Sequence, residues 1–300
     1  MKFAIATAVA AAALAGPALA GTPEVEVRNA VARVVVIVED RADVGVEIEQ
    51  GSSALPALEL RRRGDQVRID GGLGRGRVAG LRIGGDRIGS CRSGPADARQ
   101  PGEGASVEVS RLGRINVADA PLIVIRTPRE VDLSVGGAVY GAVGRGATAV
   151  ELGNAGCGDW TVANTESLGI SMAGSGSVRA GTSTRLDVSV AGSGEVRAGA
   201  TRNLDVSVAG SGDVWVAEAN GPVDVSIAGS GDVVVAGGQV GAVDVSIAGS
   251  GDVDIRATAA SVDASIMGSG DVHIAGVTGT VERSIMGSGS VTVGERTYER

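Results

Sequence analysis

The triplet Gly-Ser-Gly begins at Gly174, Gly192, Gly210, Gly229, Gly249, Gly268 and Gly287. The intervals are 18, 18, 19, 20, 19 and 19 residues. Two degenerate copies precede these, "GCGDW" from Gly156 and "SVGGAVYG" from Ser134, which makes about nine in all. Such a fixed interval marks stacked structural layers. A unit of this length is too short to bury an apolar face alone, so its neighbours must bury it.

Within each copy the apolar residues alternate with period two. Val223, Val225 and Ile227 are apolar, while Asp224, Ser226 and Ala228 are small or polar; Val233 and Val235 continue the pattern past the triplet. Period two means strands with one buried face. Each layer therefore reads strand, glycine corner, strand, turn. Each strand should pair in parallel with its counterpart one layer on. The expected fold is all-β: a parallel β-helix (β-solenoid) of about nine 18–20-residue coils after an irregular β-rich N-terminal portion. At about 4.8 Å per layer the rod should be roughly 43 Å long. Glycine at 49 of 300 residues and aromatics at 2% fit a core of small and β-branched side chains. The corner calls for positive φ at one or both glycines, which only glycine adopts without steric cost. The serine between them should form a column whose hydroxyls donate and accept along the stack.

Residues 1–20 read as an export signal. Lys2 precedes an alanine-rich apolar run, and Ala18-Leu19-Ala20 supplies the small-x-small cleavage pattern. No later stretch reaches about 18 uninterrupted apolar residues, so the mature chain is expected not to span a membrane. Residues 21–130 read as an N-terminal β-rich segment and cap, with a Gly/Arg-rich surface loop at 71–104; residues 131–300 read as the solenoid. In an oxidising compartment Cys91 and Cys157 are most simply one disulfide. Two separate buried thiols are the alternative.

Stacking turns letters into rows. One acidic row is Asp187, Asp205, Asp224, Asp244, Asp263 and Glu282. A second, just past the corner, is Glu195, Asp213, Asp232, Asp252 and Asp271. Like charges about 4.8 Å apart repel by roughly 0.9 kcal/mol in water. Solvated carboxylates that accept backbone N–H bonds at the turn would offset this. Calcium between layers is the sharper alternative, but the nine-residue calcium repeat has half this period, so no metal and no cofactor is expected.

The outward Asp-Ser-Ala face at 187/189/191, 205/207/209, 224/226/228 and 244/246/248 is flat, small and hydrogen-bonding. It suits a glycan, a surface or another copy of the chain. Asp187, Asp205, Asp224 and Asp244 are therefore the candidate ligand-binding residues, with Trp215 as an exposed aromatic in the variable row Arg179, Arg197, Trp215, Val234, Asp254, His273 and Thr292.

Several function classes are disfavoured. No catalytic residues are assigned: the one histidine, His273, has no nucleophile partner. The cluster Arg61, Arg62, Arg63, Arg68, Arg75, Arg77, Arg82 and Arg87 is basic but carries no interleaved aromatics, so nucleic acid is not the expected partner. It reads as a solvated loop, with phosphate or acidic glycans as the alternative. From Glu166 onward, 16 acids face 8 arginines, a net of −8.

The stretches "VEVRNAVARVVVIVEDRADVGVEIE" and "LIVIRTPREVDLSVGGAVYG", followed by the "VSIAGSGDV" copies, resemble the head GIN domain family of auto-transporter adhesins over about Val25 to Val293. The resemblance implies an exported bacterial β-solenoid of the cell envelope, with no catalytic residues to transfer. No barrel-type amphipathic strands follow Val293 in the sequence, so periplasmic residence or release by another route is expected rather than self-transport. The leading expectation is an exported, non-enzymatic envelope protein, periplasmic or secreted, that binds a polysaccharide or envelope component. A periplasmic carbohydrate-active enzyme on a β-helix scaffold and a purely structural, self-associating module are the alternatives.

Overall fold

The computed structural model describes residues 22–74, 77–78, 81–82, 86–95 and 97–298. Stacked parallel coils make up its body, about nine turns after an irregular N-terminal β portion. Consecutive coils pair letter on letter. Strand Arg185–Gly192 lies beside Asn203–Gly210, so Asp187, Val188 and Ser189 face Asp205, Val206 and Ser207. Asn203–Gly210 in turn pairs with Val223–Gly229, and that strand with Gln239–Gly249. The strands after the corner stack likewise, Val196 on Val214 on Val233 on Val253.

The alternation sorts side chains as expected. Val188, Val206, Val225 and Val245 form one buried row inside the rod, and Val190, Val208, Ile227 and Ile247 another. Each such side chain contributes about 1.5–3 kcal/mol relative to exposure. β-Branched residues suit these rows because their χ1 is already restricted in a strand.

The two glycines of the corner serve different ends. The first holds positive φ in every copy, from +130° at Gly210 to +144° at Gly249. The second has no positive φ. It is glycine because of close packing: a Cβ on Gly231 would collide with the Gly212 carbonyl and the Val208 side chain. The serines do align, but the expected hydroxyl ladder does not form. Ser193, Ser211, Ser230 and Ser250 seal the corner through their backbone N–H groups, which donate to Gly174, Gly192, Gly210 and Gly229 oxygens at 2.8–2.9 Å. Their exposed hydroxyls make no hydrogen bond among the described residues. The backbone already holds the carbonyl partner within reach, so the side chain is left to water.

The N-terminal strands do enter the stack. Glu24–Val38 forms a complete layer beneath Glu130–Val143, with Val25 beside Leu133 and Val36 beside Val143. Its corner lacks glycine; Asn29 takes the turn at φ +51° beside a register shift between Val27 and Ala30. Asparagine tolerates that region better than most side chains. Below this layer, Gln66–Asp70 and Leu122–Thr127 pair in parallel with its two halves. Each is covered by an antiparallel strand, Glu59–Arg63 and Gly45–Glu49 respectively. The outer strand Glu59–Arg63, sequence ELRRR, is exposed throughout. Its charges discourage edge-to-edge pairing.

Part of the segment expected as a surface loop is ordered sheet. Ile88–Arg92, Ser106–Val109 and Gly113–Asn116 form a three-stranded antiparallel sheet. Val107, Val109, Ile115 and Val117 bury a second core against Val31, Ala138 and Tyr140, which face outward from the rod. The apolar residues that build this core lie mostly beyond the Gly/Arg-rich stretch, which is why its composition suggested a loop. A disulfide joins Cys91 on this sheet to Cys157 on the rod, with Cα atoms 6.1 Å apart. Residues 1–20, read as the export signal, lie outside the described residues, as do Arg75 and the side chains of Arg77 and Arg82. Among the described residues no helix is long and apolar enough to cross a membrane.

Candidate functional site

The first acidic row is continuous on one outward side. Asp187, Asp205, Asp224, Asp244, Asp263 and Glu282 are successive register partners. The row also runs further back than the repeat suggested. Asp187 sits beside Gly169, which sits beside Glu151, then Asp132, then Glu24. Gly169 is the one rung without a carboxylate, and the Glu151 side chain occupies its place: a Cβ on Gly169 would strike the Glu151 carboxylate. Glu24, Asp132 and Glu151 were absent from the row read in the sequence. Counting back from Asp187 at the repeat interval would have found the last two.

Asp187, Asp205, Asp224, Asp244 and Asp263 accept no hydrogen bond and pair with no cation among the described residues. Burial first, and neighbouring charge second, raise three carboxyls of the row. Burial, and then the charges of Asp224 and Asp263, raise the Asp244 carboxyl above its ordinary value. Burial, and then Asp187 and Asp132, do the same to Glu151. Asp132 is raised by burial and then by Glu24.

Two shallow grooves border this row. One, of about 590 Å³, follows the Ser189, Ser207, Ser226 and Ser246 row and the alanine row beside it. That alanine row changes character at its end: Ala248 is followed by Met267 and Met286, which are 61% and 65% exposed. The other groove, of about 530 Å³, lies against the carboxylates and the residues before them, among them Asn203, Ala242 and Thr280. A face of Asp, Ser and Ala can accept and donate hydrogen bonds at the strand repeat, with no bulky side chain to hold a partner away.

The second acidic row behaves differently. Asp213 Oδ1 accepts the backbone N–H of Asp232 at 3.1 Å, Asp232 that of Asp252 at 3.0 Å, and Asp252 that of Asp271 at 2.8 Å. Asp271 closes the series on the N–H and hydroxyl of Ser290, both at 2.8 Å. These are the turn-capping carboxylates that the sequence reading favoured, and they bind the stack together. Among the described residues no group of three or more acidic, cysteine or histidine side chains could hold a metal.

Trp215 lies in the variable row past the corner, between Arg197 and Val234, and is 36% exposed. The fold therefore puts it on a different strand side from Asp187, Asp205, Asp224 and Asp244 and does not bring the five candidates into one site. His273 sits beside Asp254, whose carboxylate is held by Arg256 at 2.7 Å. The early arginines are partly engaged: Arg61 pairs with Glu59, Arg68 with Glu26, and Arg62 donates to the Val44 carbonyl.

The profile of the family described as "Putative auto-transporter adhesin, head GIN domain" matches residues 105–238 and again 221–296. The two matches meet within the coils and take in the acidic row from Asp132 to Glu282, together with the corner repeats. No curated protein and no solved structure matches the chain. With the family profile spanning more than half of its length, the chain belongs to the head GIN domain family.

Proposed function

We propose that this chain is an exported, non-enzymatic adhesin-type module that binds a glycan or envelope surface through its Asp-Ser-Ala face. The observation that carries this reading is the contrast between the two acidic rows. From Asp213 to Asp271 one row spends its carboxylates on the backbone of the next coil. The other holds Asp187, Asp205, Asp224, Asp244 and Asp263 in register with no internal partner among the described residues. Such a row costs stability through mutual repulsion. A ligand that supplies donors at the same spacing would recover it.

The charge of the row narrows the partner. An acidic polysaccharide would meet like charge along the whole face. A neutral or amine-bearing polymer presents hydroxyl or ammonium donors that carboxylate and serine oxygens accept. Repetition favours a repetitive ligand, because each further contact along the rod is made at high effective concentration. The family description, that of adhesins, supports export and surface binding.

The test is retention of the purified chain on insoluble neutral and amine-bearing polysaccharides at two salt concentrations. Retention should fall in an Asp224→Arg/Asp244→Arg double variant and with added salt on the amine-bearing polymer. Unchanged retention in the double variant, with its far-ultraviolet spectrum intact, sinks the reading.

A further inference from the structure

Where the three-stranded sheet meets the rod, residues 93–95 and 98–103 roof a cavity of about 100 Å³. Its lining includes Ser93, Arg99, Glu103, Tyr140, Asp159 and Arg179. It is distinct from the Asp-Ser-Ala face; its Asp159 stands in line with the second acidic row, two coils before Glu195.

Tyr140 is the telling residue. It is 1% exposed, and its buried hydroxyl has no hydrogen-bond partner among the described residues. A buried phenol without a partner is costly, and tyrosines that sink into a core normally bond through oxygen. Burial, and then the nearby Asp159 carboxylate, raise its ionisation above the ordinary value, so the group stays a donor. Asp159 is held in place: Ser93 and Ser177 hydroxyls both donate to its Oδ1, at 3.2 and 2.8 Å. Its Oδ2 accepts nothing among the described residues. Glu103 uses Oε2 on the backbone N–H groups of Arg99 and Gln100, which fixes the roof. The guanidinium groups of Arg99 and Arg179 pair with no carboxylate among the described residues. The disulfide stands two residues before both Ser93 and Asp159 and clamps roof to floor.

This lining offers donors and acceptors and is balanced in charge: two guanidinium groups face two carboxylates. A hydroxyl both donates and accepts, so a ligand of several hydroxyls satisfies both kinds. The volume is below the cavity of about 150 Å³ that admits a benzene ring. It therefore fits a short polyol or one edge of a sugar ring. We propose that this cavity binds a neutral polyol, free or as the terminal residue of a neutral glycan. Asp159 Oδ2 accepts from one ligand hydroxyl, and the Tyr140 oxygen, closed to water as it stands, donates to the next after a small shift of its ring or of the roof.

The experiment is a titration of the ¹⁵N-labelled full chain with glycerol, methyl galactoside, a neutral galactan tetrasaccharide and galacturonate. Shifts are read at the amides of Gly141, Asp159 and Thr161. The neutral probes should shift these amides, independently of any change at Ser226 or Ser246 on the Asp-Ser-Ala face. Saturation by glycerol and methyl galactoside identifies a free polyol; saturation by the tetrasaccharide alone identifies a glycan end. Tyr140→Phe and Asp159→Asn should each weaken binding about tenfold, the loss of one hydrogen bond to a buried or charged group. The phenylalanine keeps the ring in the second core and removes an oxygen the protein does not itself use, so its melting temperature should not fall. Three results would each overturn the proposal: no shift by any probe, unaltered binding in Tyr140→Phe, or tighter binding of galacturonate than of methyl galactoside.

Discussion

Asp213 accepts the backbone N–H of Asp232 at 3.1 Å, across one full coil, whereas Asp205, on the preceding strand of the same coil as Asp213, accepts nothing among the described residues. The two residues look alike in the repeat, yet removal should have opposite effects. Asp232→Ala leaves the Asp252 N–H without its acceptor and should lower stability by about 1 kcal/mol, since that site is open to water. Asp224→Ala removes a repelling charge and should leave stability unchanged or slightly higher. Urea midpoints of the two variants against the parent decide it, and equal losses would contradict the assignment.

The raised carboxyls of Asp132, Glu151 and Asp244 predict a pH dependence with a definite sign. A folded value above the unfolded one means the folded chain holds the proton more tightly. The stability these groups contribute is complete below the ordinary carboxylate range and is lost as pH rises through their folded values. Asp244→Asn should therefore melt higher than the parent at neutral pH. The gap should close near pH 3, where the parent is itself protonated (about 3.9 for a free aspartate). It should also shrink in high salt. A variant that melts lower at neutral pH would reverse the sign.

Much of the rod can be read directly from letters. The Val223-Asp224-Val225 alternation gives the faces, and the Gly-Ser-Gly interval gives the stacking, because a parallel coil must return each residue above its counterpart. What could not be read depends on atoms that the repeat does not encode. Whether Ser211 seals its corner by hydroxyl or by N–H depends on where the Gly192 carbonyl points. Glu151 was missed because Gly169 breaks the row in sequence, although the longer glutamate bridges the gap in space. The three-stranded sheet around Val107 was obscured because its strands are short and two face solvent on one side.

The corner glycines predict a pair of losses with different origins. Gly229→Ala forces a side chain into φ +139° and onto the Gly210 carbonyl, and should cost at least the roughly 1–3 kcal/mol that backbone strain alone carries. Gly231→Ala has ordinary φ but meets the Gly212 carbonyl and Val208. A second change, Val208→Ala, should recover part of the Gly231→Ala loss and none of the Gly229→Ala loss. A double-mutant cycle on melting midpoints separates them, and equal coupling of Val208 to both glycines would refute the distinction.

Replacement of both Cys91 and Cys157 by serine should loosen the attached sheet while sparing the rod. The bridge closes a span of 66 residues, which the chain-entropy account values at about 4 kcal/mol. Because the second core still holds the sheet against Val31 and Tyr140, the measured loss should be smaller. Hydrogen exchange should quicken at Ser106–Val109 and Gly113–Asn116 and stay slow at Val223–Gly229. Equal acceleration in both regions would mean that the bridge supports the rod itself.

The last coil predicts a change in association. Strand Val281–Gly287 pairs on one side only among the described residues. At the inward position that Ala264 fills one coil earlier, it carries Arg283, whose guanidinium lies 4.4 Å from the Tyr298 ring centroid. An inward-pointing charge on an edge strand discourages a further strand from pairing there, since that strand would bury it. The aromatic face holds it over the end of the core. Arg283→Val would continue the apolar row of Val225, Val245 and Ala264 to the very edge and leave it open to a second rod. Sedimentation velocity should then show concentration-dependent dimers in the variant and not in the parent. If the variant stays at the parent's sedimentation coefficient across the concentration range, the charge is not what blocks pairing at that edge.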